Sequence, residues 1–153
     1  MTRSVLLIED NPDHAVLIQA VLETAWPAAV RVMILSDGLQ ALEYVRHPAP
    51  APVLGLPDIV LLDLKLPKVD GLEVLRALRG AAAWERVPVI VLTTSNNPAD
   101  VRACYATGAD AYLSKLVALN GAMRELIRSI ETLLARPAGG RGQPLQFAPW
   151  GMR

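Results

Sequence analysis

Five short runs of β-branched residues and leucine alternate with longer segments of helical period along this chain of 153 residues. The runs are Val5 to Ile8, Val30 to Leu35, Ile59 to Leu62, Val89 to Leu92 and Ala111 to Ser114. Near-continuous apolar strands separated by helices call for a parallel sheet with both faces covered, an α/β architecture. Antiparallel and all-helical folds do not fit that pattern.

The punctuation between the runs agrees. Asn11 is placed to cap a first helix with Pro12 in its first turn, and that helix should stop before Trp26-Pro27, because a residue preceding proline is driven out of the α region. Asp37 with Gln40, and Asp70 with Glu73, have the spacing of capping boxes for the second and third helices, the third running through Leu72, Leu75 and Leu78. Asn97-Pro98 opens the fourth helix, Gly108 suits a left-handed exit from it, and Asp110 leads into the fifth strand. In the last helix Met123, Leu126, Ile127, Ile130, Leu133 and Leu134 recur at steps of three and four, a single apolar stripe that must pack on the sheet or on a partner.

A hydrophobic content of 52% is ample for one packed domain of this length. Lysine plus arginine equals aspartate plus glutamate at 15 each, so no global field points to nucleic acid or anionic lipid. The first apolar run is too short for a signal-peptide core or a membrane span, and the expectation is a cytoplasmic protein. Cys104 is the only cysteine, which excludes an internal disulfide and a thiolate metal cage and reads as a small buried apolar residue. His47 to Pro52 reads as a stiff surface excursion. We expect one domain over residues 1–136 and a glycine- and proline-rich tail over 137–153. The tail carries Leu145, Phe147 and Trp150, so it is either a frayed terminus or an arm that docks on this subunit or a neighbour.

Chemistry concentrates where the strands end. Asp63 closes the run Ile59 to Leu62, Glu9-Asp10 follows Ile8, Thr93-Thr94-Ser95 follows Leu92 and Lys115 follows Ser114. In an open parallel sheet, ligands bind outside the carboxyl ends of the strands, at a topological switch. Two like charges 4 Å apart repel by about 4 kcal/mol at an effective dielectric near 20, so three acids gathered there need a cation. Mg2+ fits, since it takes a few carboxylates and keeps several waters. Lys115 and the Thr93 hydroxyl would suit a tetrahedral dianion held above Asp63, and a carboxylate can itself attack phosphorus to give an acyl phosphate. Each residue alone has a plainer role. Glu9-Asp10 would favour a helix N-terminus, Lys115 would be a solvated edge charge, and Asp63 would bond to the turn through Leu66-Pro67. Their joint position around one crevice is what the plainer roles leave unexplained.

The pieces Leu7-Ile8-Glu9-Asp10-Asn11, Leu61 to Gly71, Pro88 to Thr94 and Gly108 to Lys115 resemble the receiver domain of two-component response regulators, from Val5 to about Leu134. The resemblance implies a doubly wound, flavodoxin-like receiver fold, with five parallel strands in the order 2-1-3-4-5 and helices on both faces. It implies that Asp63 accepts phosphate from a cognate histidine kinase. Asp10, Asp63 and the backbone carbonyl of Lys65 would hold Mg2+ or Mn2+, with Glu9 acting through a bound water. Thr93 and Lys115 would bind the phosphoryl oxygens, Tyr112 would be the aromatic switch that follows Thr93, and Lys65 and Ser95 match positions that tune phosphate lifetime. The Thr93-Thr94-Ser95 run, the Leu66-Pro67-Lys68 block and the long loop before the third strand look like stand-alone receivers paired with phytochrome-type kinases. Such receivers often form homodimers through helix four, strand five and helix five. Output by protein contact is expected, with no nucleic acid and no membrane as partners, because the tail is too short for a helix-turn-helix and lacks a basic stripe.

Three rival readings fit the chain less well. A phosphatase of the haloacid-dehalogenase type needs a second acid two residues after its aspartate, where this chain has Lys65. A nucleotide-binding module would need a GxxxxGK or GxGxxG loop after the first strand. A degenerate receiver, acting as an unphosphorylated dimer, is opposed by the intact set Asp10, Asp63, Thr93 and Lys115 and draws support from Leu116. The family usually has a cis proline after its lysine, and a cis bond before leucine would cost about 2.5–4 kcal/mol. A trans bond with an altered loop is expected, which puts the reach of Lys115 in question.

Overall fold

The computed structural model describes residues 2–47, 55–115, 123–136 and 142–145. Pro48 to Pro52 of the excursion, the Lys115-Leu116 bond, and Phe147 and Trp150 of the tail lie outside the described residues. In chain order the elements are β1 (Arg3–Ile8), α1 (Pro12–Ala25), β2 (Val30–Leu35), α2 (Gly38–Arg46), β3 (Ile59–Leu62), α3 (Gly71–Gly80), β4 (Val89–Thr93), α4 (Pro98–Thr107), β5 (Ala111–Ser114) and α5 (Met123–Leu134). The strands form one parallel sheet in the order β2-β1-β3-β4-β5, the parallel α/β sheet read from the alternating runs with the doubly wound strand order that the resemblance implies.

Side chains alternate across a strand, and here the alternation assigns the helices to faces. Leu6, Ile8, Val60, Leu62, Val89, Val91 and Tyr112 pack with α2, α3 and α4. Val5, Leu7, Ile59, Leu61, Ile90, Leu92 and Leu113 pack with α1 and α5. The stripe on α5 is therefore spent on its own sheet, with Leu126, Ile130 and Leu133 all buried. Cys104 is fully buried, and burial pushes its thiol up to about 12, in keeping with an apolar role.

The helix starts follow the expected caps in three cases of four. Asn11 Oδ1 accepts from Asp13 and His14 N–H, and Asn97 Oδ1 from Ala99 N–H. Asp37 Oδ1 accepts from Gln40 N–H at 2.8 Å, while the Gln40 side chain accepts from Ser36 N–H, one residue before the cap. The Asp70–Glu73 box does not form, and the Asp70 side chain makes no capping bond. Backbone carbonyls already take those protons, since Gly71 N–H donates to Leu64 O, and Glu73 and Val74 N–H donate to Asp70 O. Gly108 ends α4 at φ 116°, the left-handed exit expected of it.

One feature was not legible beforehand. Arg79 on α3, partly buried, pairs with Asp110 at 2.8 Å and also donates to Gly108 O and Val87 O, tying α3 to the turn before β5. The tail, left open as frayed or docked, docks at least at Leu145: its N–H donates to Asp110 O at 2.7 Å, and its carbonyl accepts from Tyr105 Oη at 2.6 Å.

Candidate functional site

The strand order reverses between β1 and β3, so the loops that leave them open a crevice at that point. Glu9 and Asp10 leave β1 on one side of it and Asp63 leaves β3 on the other, its N–H still bonded to Ile8 O at 2.9 Å. Carboxylate oxygens of Glu9, Asp10 and Asp63 come within 4.8 Å of one another. Glu9 and Asp63 are buried and Asp10 is exposed. The donor set is oxygen only, which suits a hard divalent cation such as Mg2+ or Mn2+.

Lys115 crosses from β5 to this cluster. β4 lies between β5 and β3, and the lysine stem is buried on its way to the acids. Its Nζ donates to Asp63 Oδ2 at 2.8 Å and forms an ion pair with Glu9 Oε1. The doubt over its reach is thereby removed. Burial pushes the Glu9 carboxyl up to about 7, Lys115 works against that, and the charge on Asp63 adds to it.

The remaining expected residues line the β4 side. Thr93 is the last residue of β4, wholly buried, and its Oγ1 accepts from Ser95 N–H at 3.4 Å. Ser95 Oγ donates to Asp100 Oδ2 on α4 at 2.5 Å, and the exposed Lys65 ammonium stands 3.9 Å from the same oxygen. The Lys65 backbone lies beside the acids, with its N–H donating to Asp63 Oδ1 at 3.1 Å. Tyr112 is buried on the α4 side of β5, and its hydroxyl donates to Ser95 O at 2.9 Å. Burial pushes that phenol up to about 12.

One residue of the site escaped the sequence reading. His14, in the first turn of α1, puts Nδ1 3.2 Å from Lys115 Nζ. The signal was there: His14 precedes the buried Ile18 by four residues, so it lies on the inward flank of a helix that starts beside the Glu9-Asp10 pair.

The chain belongs to the response regulator receiver domain family, which it matches over residues 5–128. Proteins of this family are signalling proteins. It is 39% identical over 130 residues to a probable methanogenesis regulatory protein, FilR2, of Methanothrix harundinacea, covering 84% of this chain and 79% of the relative. It is 40% identical over 111 residues to response regulator Rcp1 of Synechocystis sp., covering 72% and 75%. The Mn2+-bound form of Rcp1 superposes with a TM-score of 0.69 at 34% identity, over 86% of this chain and 91% of that one. The phosphorylated cyanobacterial phytochrome response regulator RcpA gives 0.72 at 31%, with the same coverage. The chain is thus related to phytochrome response regulators. Among the described residues no helix is long and apolar enough to cross a membrane.

Proposed function

We propose that this protein is a phosphoacceptor response regulator in which Asp63 takes a phosphoryl group from a histidine kinase in a reaction dependent on Mg2+ or Mn2+. The observation that carries the reading is the buried Asp63 carboxylate, held between Lys115 Nζ at 2.8 Å and Lys65 N–H at 3.1 Å beside the Glu9 and Asp10 oxygens. An Asp63 oxygen attacks phosphorus as the P–N bond of the kinase phosphohistidine breaks, and the phosphoryl group passes to the carboxylate as an acyl phosphate. Asp10, Asp63 and the Lys65 carbonyl would hold the metal, with Glu9 acting through water. The metal supplies charge neutralisation at the phosphoryl oxygens. Lys115 and Thr93 bind those oxygens, drawn by a dianion that is a stronger partner than their present ones.

Tyr112 and Ser95 carry the signal outward. Thr93 and Ser95 are bonded to each other, Ser95 holds the Tyr112 hydroxyl and the Asp100 carboxylate, and so a pull on Thr93 reaches both β5 and α4. Lys65 and Ser95 flank the approach to Asp63 and set how long the phosphate lasts. Likeness to RcpA and Rcp1 supports a phytochrome-type kinase as the donor. β5 is an outer strand between α4 and α5, which supports a homodimer through that face; the buried stripe of α5 does not contribute to it. The receiver spans residues 1–136, output is through protein contact in the cytoplasm, and the tail is an accessory segment.

Incubation with Mg2+ and acetyl phosphate, read by intact mass, tests the reading. We expect a gain of one phosphate that is absent in Asp63→Asn. Folded wild-type protein that takes no phosphate from any donor or kinase would point to the degenerate receiver.

A further inference from the structure

A lysine ammonium has three protons and no acceptor, so a buried lysine needs three acceptors. Lys115 is only 2% exposed, and the described residues place three around Nζ: Glu9 Oε1, Asp63 Oδ2 and His14 Nδ1. The two carboxylates belong to the acidic cluster. His14 has no part in metal binding or phosphoryl transfer as described above, yet it supplies the third acceptor from the first turn of α1, 101 residues away in the chain. Because the ammonium can only donate, this contact is a hydrogen bond only if Nδ1 is unprotonated, which leaves the ring proton on Nε2.

Resting on the phosphoacceptor reading, we infer that His14 is a positioning residue for Lys115, holding the third ammonium proton so that the lysine stays aimed across the crevice at Asp63. The two carboxylates accept charge-assisted bonds, whereas the imidazole is a neutral acceptor and the weakest of the three. His14 belongs neither to the acidic cluster nor to the phosphoryl group, so its bond is the one that Lys115 keeps while its carboxylate partners turn to the metal and the phosphoryl oxygens. Through the transfer it keeps a long, rotamer-rich side chain from wandering. An effect of this kind falls on the chemical step, because Lys115 meets its strongest partner as the phosphoryl group transfers.

Two measurements on the full chain test it. In 15N spectra with Mg2+, His14 should show an unprotonated Nδ1 and a protonated Nε2, and Lys115→Met should shift the Nδ1 signal. With saturating acetyl phosphate, losing one hydrogen bond to a charged group should slow Asp63 phosphorylation about tenfold in His14→Ala, with the half-saturating donor concentration unchanged. His14→Asn, whose Oδ1 can stand where Nδ1 stood, should recover most of that loss. A protonated Nδ1, a wild-type rate in His14→Ala, or an Asn variant as slow as the Ala variant would each overturn the inference. Wild-type protein that takes no phosphate overturns the phosphoacceptor reading instead, and the nitrogen spectrum then decides the His14–Lys115 contact alone.

Discussion

Glu9 shows what a single residue contributes when its environment opposes its charge. Its carboxyl is raised from the ordinary 4.5 to about 7 by burial, against the pull of Lys115. A folded-state value above the unfolded one adds stability that is fully present below about pH 4.5 and is lost as pH rises through about 7. We therefore expect metal-free wild-type protein to lose stability relative to Glu9→Gln between pH 5 and pH 8, read from urea midpoints in chelator. Added Mg2+ should restore wild-type protein more than the variant, because a ligand that binds only the folded state stabilises it by mass action. Parallel pH profiles for the two proteins would remove this account of Glu9. That Glu9 stands beside Asp10 and Asp63 was legible in the sequence from its place after an apolar strand, but its burial and its ion pair were not. Those depend on where Lys115 ends up.

At the level of elements, the local code was read well wherever local bonds decide. Asn11 and Asn97 cap because their side chains lie within reach of the N–H groups two or three residues on. Asp70 makes no such bond, because the Glu73 N–H it would cap already donates to Asp70's own carbonyl, while Leu64 O in the loop after β3 takes the Gly71 N–H. Gly71 itself marks the close approach. A Cβ there would strike Asp63 O and Leu64 Cα, backbone atoms with no room to withdraw. Gly71→Ala should cost about 1–3 kcal/mol in urea unfolding, the range for overpacking. It should also slow phosphorylation, since the shift is forced on the residue proposed to accept the phosphate. A variant with unchanged stability and rate would show that the α3 start can move without disturbing Asp63.

Across the whole molecule, the docking of Leu145 is the feature with the widest consequence. Tyr105 Oη on α4 and Asp110 O before β5 both hold Leu145, so the tail bridges the two elements expected to report phosphorylation. Tyr105→Phe removes one of those bonds and should cost about 0.5–1.5 kcal/mol, with faster proteolytic cleavage in the tail as the direct readout. The proposed dimer belongs to this scale too. We expect light scattering at tens of micromolar to give twice the chain mass, and a monomer with and without phosphate would remove that part of the reading.

The sequence by itself determined the α/β class, the helix boundaries and the acids at the strand ends, because periodicity, caps and strand termini are written within a few neighbouring residues. Tertiary structure decided the rest. Lys115 meets Asp63 across 52 residues and His14 across 101, and the tail settles on Asp110 and Tyr105. Contacts of that range depend on strand order and on which face each helix covers, so no local pattern could announce that a buried lysine would draw its third acceptor from the first turn of α1.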